Sequence, residues 1–177
     1  MLRFRVSAYA VAAMTVAAAS LHAQARPQAP LSPRDTTRAA IGGASLLVDY
    51  GRPSKRGRVV FGGLEPWGKV WRTGANEATQ LETNKDLVFA GKTVPAGKYT
   101  LWTLLSETAP MLIINKQTGQ WGTAYDASQD LARVPLRLTR LTAPVEQFTI
   151  AIEPQRAGGL LRMSWDTTEF SIPFTVK

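Results

Sequence analysis

Near the C-terminus apolar and polar side chains alternate with period two: Phe170, Ile172, Phe174 and Val176 are separated by Ser171, Pro173 and Thr175. Successive side chains of a strand point to opposite faces, so this run gathers its apolar set on one side only as a β-strand; a helix would scatter it. Leu161, Met163 and Trp165 alternate in the same way with Arg162, Ser164 and Asp166, and Phe148, Ile150 and Ile152 alternate with Thr149, Ala151 and Glu153. The connections are the turn-rich PQRAGG and the short Asp166-Thr167-Thr168-Glu169. This pattern predicts a three-stranded antiparallel meander.

Upstream, YTLWTLL and MLIINK are apolar on both faces and read as central strands flanking Ser-Glu-Thr-Ala-Pro. LVFA, Gly91-Lys92 and Thr93-Val94 predict a tight hairpin, and Pro95-Ala96-Gly97 fits a type I turn. Val134, Leu136 and Leu138 supply another alternating strand, and SLLVDY at 45–50 supplies the first. No segment carries a helical stripe. The expected fold is all-β, an antiparallel β-sandwich of about eight or nine strands with little helix.

The N-terminus follows other rules. MLRFR is a basic start, VSAYAVAAMTVAAASL an apolar run, and Ala23-Gln24-Ala25 a small-x-small cleavage site, with Leu21-His22-Ala23 competing two residues earlier. Residues 1–25 therefore read as a secretory signal peptide. A membrane anchor would need about 20 continuous apolar residues, and this run is shorter and followed by Gln, Arg and Pro. Residues 26–39, with Pro27, Pro30 and Pro33, read as a Pro-rich linker, which leaves 40–177 as a single β-sandwich domain. The expected location is periplasmic or secreted, in a bacterium.

Loss of the signal narrows the chemistry. His22 is the only histidine and the chain has no cysteine, so Ser-His-Asp and Cys-His catalysis, imidazole or thiolate zinc sites and disulfides are excluded from the mature chain. No cofactor and no metal are expected, and the Asp126 to Asp130 spacing does not match a calcium loop. Removing Arg3 and Arg5 from the 21 basic residues leaves 19 against 13 acidic ones, a net charge of +6. In an exported protein that excess points to anionic lipid, polysaccharide or wall polymer rather than nucleic acid, or simply to solubility.

Two segments break the alternation, GRPSKRGRVVFGG at 51–63 and EPWGKVWRTGANEAT at 65–79. The first concentrates Arg52, Lys55, Arg56 and Arg58, which reads either as an anion grip or as a solvated basic loop. The second adds Trp67 and Trp71 to Arg72, Asn76 and Glu77 around Gly74. Indoles offer a flat apolar face to a ligand that the polar groups would orient. The alternative is that the two indoles cap the sandwich and Arg72 pairs with Glu77 on its rim. A third segment, from Trp121 through Tyr125 and Asp126 to Asp130 and Arg133, is placed to close over these two.

RPSKRGR, FGGLEPWGKVWRTGANEAT, VPAGKYTLWTL and QWGTAYDASQD together resemble the bacterial family known as domain of unknown function 2911, over about residues 44–177, with Trp67 where that family more often has Tyr. The resemblance implies an exported, β-rich domain. It assigns no activity, substrate or catalytic residue.

Three functions remain open. The first is recognition of a small polar, carbohydrate or anionic envelope ligand by Arg58, Trp71, Arg72, Asn76, Glu77, Trp121 and Tyr125 at one end of the sandwich. The second is a hydrolase of the glycoside hydrolase type, with Glu77 and either Asp126 or Asp130 as its carboxylates, which would have to stand ~5 to 10 Å apart. The third is a purely structural envelope protein, in which both loop segments are buried or paired off.

Overall fold

The computed structural model describes residues 31–177, so the proposed signal peptide and the start of the proposed linker lie outside the described residues. Eleven strands follow in chain order: β1 (Arg34–Ile41), β2 (Ala44–Gly51), β3 (Val70–Trp71), β4 (Thr79–Thr83), β5 (Leu87–Phe89), β6 (Lys92–Val94), β7 (Gly97–Leu104), β8 (Met111–Asn115), β9 (Asp130–Pro135), β10 (Arg137–Gln155) and β11 (Gly158–Val176). The described residues are 62% strand and 2% helix, the helix being a single 3-10 turn, Ala127–Gln129. All pairings between these strands are antiparallel. One sheet has the order β1-β2-β4-β7-β8-β9, with β3 also on β7, and the other has the order β10-β11-β5-β6.

The alternating residues decide how the sheets meet. In the larger sheet Leu46, Val48, Leu81, Leu101, Leu112, Ile114 and Val134 are buried on one face, and Phe148, Ile150, Leu161, Met163, Trp165, Phe170 and Ile172 of the smaller sheet join them in one core. The two-faced apolar runs of β7 and β8 have a second explanation besides a central position. Trp102 and Ile113 point away from the main core and form a smaller cluster with Ala78, against which Val70, Leu104 and Tyr125 pack. The chain from 116 to 129 contributes Tyr125 to that cover, so the outer face of this sheet is roofed by its own loop.

Three readings of the sequence need correction. Residues 34–39 are not linker: they form most of β1, which pairs with β2 from Arg34↔Gly51 to Ile41↔Ala44. SLLVDY is accordingly the second strand. The C-terminal meander is one hairpin of two 19-residue strands, β10 and β11. The Asp166-to-Glu169 stretch does not reverse the chain. Asp166 has a left-handed φ of 53° and faces Val145 between two register shifts, so it bends β11 as a bulge does. Finally, Val134, Leu136 and Leu138 are not one strand, because the chain leaves β9 and enters β10 on either side of Leu136. The Leu136 N–H is satisfied by Pro110 O at 2.8 Å.

Candidate functional site

The stretch WRTGANEAT is an excursion from one sheet position. Trp71 of β3 pairs with Thr103 and Thr79 of β4 pairs with Leu101, so residues 72–78 leave and rejoin the sheet along the same edge of β7. Its inner end is fixed by buried hydroxyls: Thr73 and Thr103 share a hydrogen bond of 2.8 Å, and Thr79 Oγ1 donates to Thr73 O at 2.6 Å. Gly74 lies against Gly51: a Cβ on Gly51 would strike the Ala75 carbonyl, and one on Gly74 would press on Thr79 Oγ1 and crowd the Gly51 carbonyl. Thr73 and Asn76 hold left-handed φ values of 52° and 65°, a conformation that costs of order 1–3 kcal/mol in a residue with a Cβ.

The 116–129 loop docks against this excursion through its backbone. Gly122 N donates to Asn76 O at 2.9 Å and Ala78 N to Gln120 O at 3.2 Å, while Glu77 and Trp121 form an isolated bridge. Gly122 has to be glycine here, since a Cβ would strike both the Arg72 stem and the Asn76 carbonyl. Arg72, Asn76, Glu77 and Trp121 are thereby brought together from two segments more than forty residues apart in sequence.

Trp71 and Arg58 do not join them. Adjacent residues of an extended segment face opposite ways, and Trp71 is 3% exposed, inside an aromatic cluster with ring centroids 5.0 Å from Phe148, 5.4 Å from Phe61 and 5.9 Å from Trp165. Arg58 folds back on its own loop, donating to Lys55 O and Ser54 O at 2.8 Å each. The rest of the basic segment is not a grip either. Arg52 pairs with Asp35 at 2.9 Å, Lys55 pairs with Asp166 at 2.6 Å, and Arg56 donates to Leu31 O at 3.1 Å.

The carboxylates and the phenol are engaged as well. Glu77 pairs with Arg34 at 2.8 Å, and its own backbone N–H and then Arg34 hold its carboxyl below the ordinary value. Asp126 caps the 3-10 turn by accepting from Ser128 N at 2.9 Å, and the Ser128 side chain first, then its backbone N–H, lower this carboxyl too. Asp130 accepts from Asn115 Nδ2 at 2.9 Å, Tyr125 OH at 2.7 Å and Arg133 Nε at 2.9 Å. Burial first, and then Asp130, push the Tyr125 phenol up to about 12, so it stays a donor. Tyr125 itself lies on Trp102, ring centroids 4.9 Å apart.

Arg72 is different. Among the described residues Arg52, Lys55, Arg72 and Arg162 are the basic residues of intermediate exposure, and the Arg34 side chain, 32% exposed, is as withdrawn as that of Arg162 at 34%. All of these except Arg72 have carboxylate partners. Arg72 has no ion pair within 4.0 Å, and no side-chain hydrogen bond, among the described residues. Its charge does reach Glu65, whose half-buried carboxyl is raised by desolvation and partly lowered again by Arg72. A carboxylate seven positions before an arginine across a Pro-Trp-Gly turn carries no periodic signal. Two concavities of about 330 and 300 Å³ are lined by other residues, the first around Val88, Pro173 and Phe174 and the second around Leu47, Glu82 and Lys98. Neither includes a residue of the Arg72 cluster. No group of three or more Asp, Glu, His or Cys is placed to hold a metal among the described residues.

The family model described as Protein of unknown function (DUF2911) matches residues 32–174. No curated protein and no solved structure matches the chain.

Proposed function

The chain belongs to the DUF2911 family, and we propose that it is an exported domain that binds a small anionic ligand at Arg72, between the 72–78 and 116–129 loops. The observation that carries this is the missing partner of Arg72. A partly desolvated guanidinium loses hydration that an ion pair normally replaces. Its planar fork of donors matches a carboxylate or phosphate in two-point contact. Trp121, 51% exposed on the loop that docks against this segment, supplies an accessible indole face within the same pair of loops. Two strained backbone positions in the same loop are in keeping with a site held in place for use. Export rests on the basic start, apolar run and Ala23-Gln24-Ala25 of the sequence.

The hydrolase reading finds no support in this geometry. Glu77, Asp126 and Asp130 are each occupied by a partner, and the lowered carboxyls of Glu77 and Asp126 run against the raised pKa a general acid needs. A structural role accounts for Trp71, Arg58, Glu77, Tyr125 and the Arg72 stem packed over Gly122, but it leaves the Arg72 guanidinium without an ion-pair partner among the described residues. Thermal unfolding in phosphate, glucuronate and neutral glucose at matched ionic strength tests the proposal. An anion at a hundredfold its dissociation constant adds about 2.7 kcal/mol, a gain that Arg72→Gln should abolish. If no anion stabilises the wild type, or if Arg72→Gln keeps the full gain, the reading is lost.

A further inference from the structure

A second surface, on the loop that ends at Glu65, combines exposed aliphatic side chains with unneutralised cations. Val60 and Phe61 are pinned in the main core at 0% and 8% exposure, yet their neighbours Val59 and Leu64 stand out at 69% and 40%. This exposure is built in. Leu64 N donates to Val59 O at 3.0 Å, Glu65 N to Val60 O at 2.9 Å and Gly62 N to Glu65 O at 2.9 Å. A Cβ on Gly63 would lie 2.5 Å from Val59 O, so glycine is what lets the two aliphatic residues sit side by side. Trp67, partly buried, stacks on Phe61 at 5.9 Å behind them.

Charge surrounds this tip on its N-terminal side. Arg56 and Arg58 are exposed, and their guanidinium groups donate to the carbonyls of Leu31, Lys55 and Ser54 rather than to carboxylates. Their charges therefore remain available. The carboxylates nearby are Glu146, which accepts from the Arg56 backbone N–H at 2.9 Å, Asp166, which Lys55 neutralises at 2.6 Å, and Glu65 within the loop. Leu31, 72% exposed, is tied to Arg56 and adds a third aliphatic side chain.

We propose that the 56–65 tip docks the domain on an anionic lipid bilayer, Val59 and Leu64 entering the acyl boundary while Arg56 and Arg58 meet lipid phosphates. A few aliphatic side chains cannot supply the ~1,600 Å² of a stable protein interface. They do suit a fluid surface, where a small apolar insertion and basic charge act together.

Co-sedimentation of the purified protein with vesicles of phosphatidylglycerol and phosphatidylethanolamine, and with phosphatidylcholine vesicles, tests this at low and high salt. Binding is expected to the anionic vesicles only and to weaken with salt. The doubly substituted Val59→Ser, Leu64→Ser protein should bind about tenfold less or weaker still, Arg56→Gln should lose part of the salt-sensitive binding, and Arg72→Gln should bind as the wild type. Failure of the wild type to bind anionic vesicles at low salt would overturn the proposal. So would full binding by the Val59→Ser, Leu64→Ser protein with an unchanged circular dichroism spectrum. Loss of binding in Arg72→Gln alone would assign the lipid phosphate to the other site. A wild-type dimer that the double substitution splits, with vesicle binding intact, would make the tip a self-association face instead.

Discussion

Removing the Arg72 guanidinium orphans no carboxylate within ion-pair distance, so Arg72→Gln should cost the ligand-free fold about 1 kcal/mol or less in urea denaturation. A loss of about 3 to 5 kcal/mol would instead mark a buried pair and make WRTGANEAT a structural clamp. Glu65 gives the same neighbourhood a pH dependence. Burial raises its folded-state carboxyl above the ordinary 4.5, so the folded protein binds the proton more tightly than the unfolded chain. Its unfavourable contribution is absent below the unfolded value and grows as pH rises through the folded one. Glu65→Gln should therefore raise the urea midpoint at neutral pH, and the advantage should vanish as the pH falls below 4.5. An advantage that persists there would point to packing rather than charge. Tyr125→Phe removes a hydrogen bond to Asp130 and one from Arg133 but leaves the ring on Trp102. It should cost about 1 kcal/mol and leave anion-induced stabilisation intact.

At the scale of elements, the bend in β11 depends on an ion pair that links it to the 51–63 loop. Lys55 Nζ lies 2.6 Å from Asp166 Oδ1, with side chains 19% and 14% exposed, and Val60 N donates to Asp166 Oδ2 at 3.4 Å. Asp166→Ala should destabilise by about 3 to 5 kcal/mol, because Lys55 would stay withdrawn from water without a partner. Lys55→Met in the same chain should recover much of that loss in urea titrations. If the double substitution is no better than Asp166→Ala, the strained φ rather than the charge is what Asp166 secures. On either side of this bend the alternation matches the burial: Leu161, Met163 and Trp165 are buried, as are Phe170, Ile172 and Phe174. The bend itself is not legible in the sequence, because Asp-Thr-Thr-Glu suits a reversal and a bulge equally well. Only pairing with β10 distinguishes the two.

For the whole molecule, β1 is the edge of the larger sheet and also ties it to the smaller one, since Thr37 Oγ1 donates to Ile150 O at 2.6 Å. A chain shortened to begin at Ala40 loses that link, the Arg34 pairs with Asp49 and Glu77 and most of the ladder on β2, where each bond is worth about 1 kcal/mol net. It should unfold at lower urea than a chain beginning at Ser32, and aggregate more readily through the bared β2 edge. Equal midpoints would return residues 34–39 to the role of linker. The sequence by itself determined the all-β class and the core faces, because side-chain alternation is a local property of extended backbone and is written residue by residue. It also marked, through one segment with two tryptophans and one cluster of basic residues, where the alternation breaks, though Val70–Trp71 within the first of these forms β3. Which partly withdrawn arginine lacks an ion-pair partner was decided only by the tertiary structure. Arg52, Lys55, Arg58 and Arg72 look alike in one dimension, and their differences arise from Asp35, Asp166, the Lys55 carbonyl and Gly122, groups that folding brings to them from elsewhere on the chain or, for Arg58, by turning the loop back on itself.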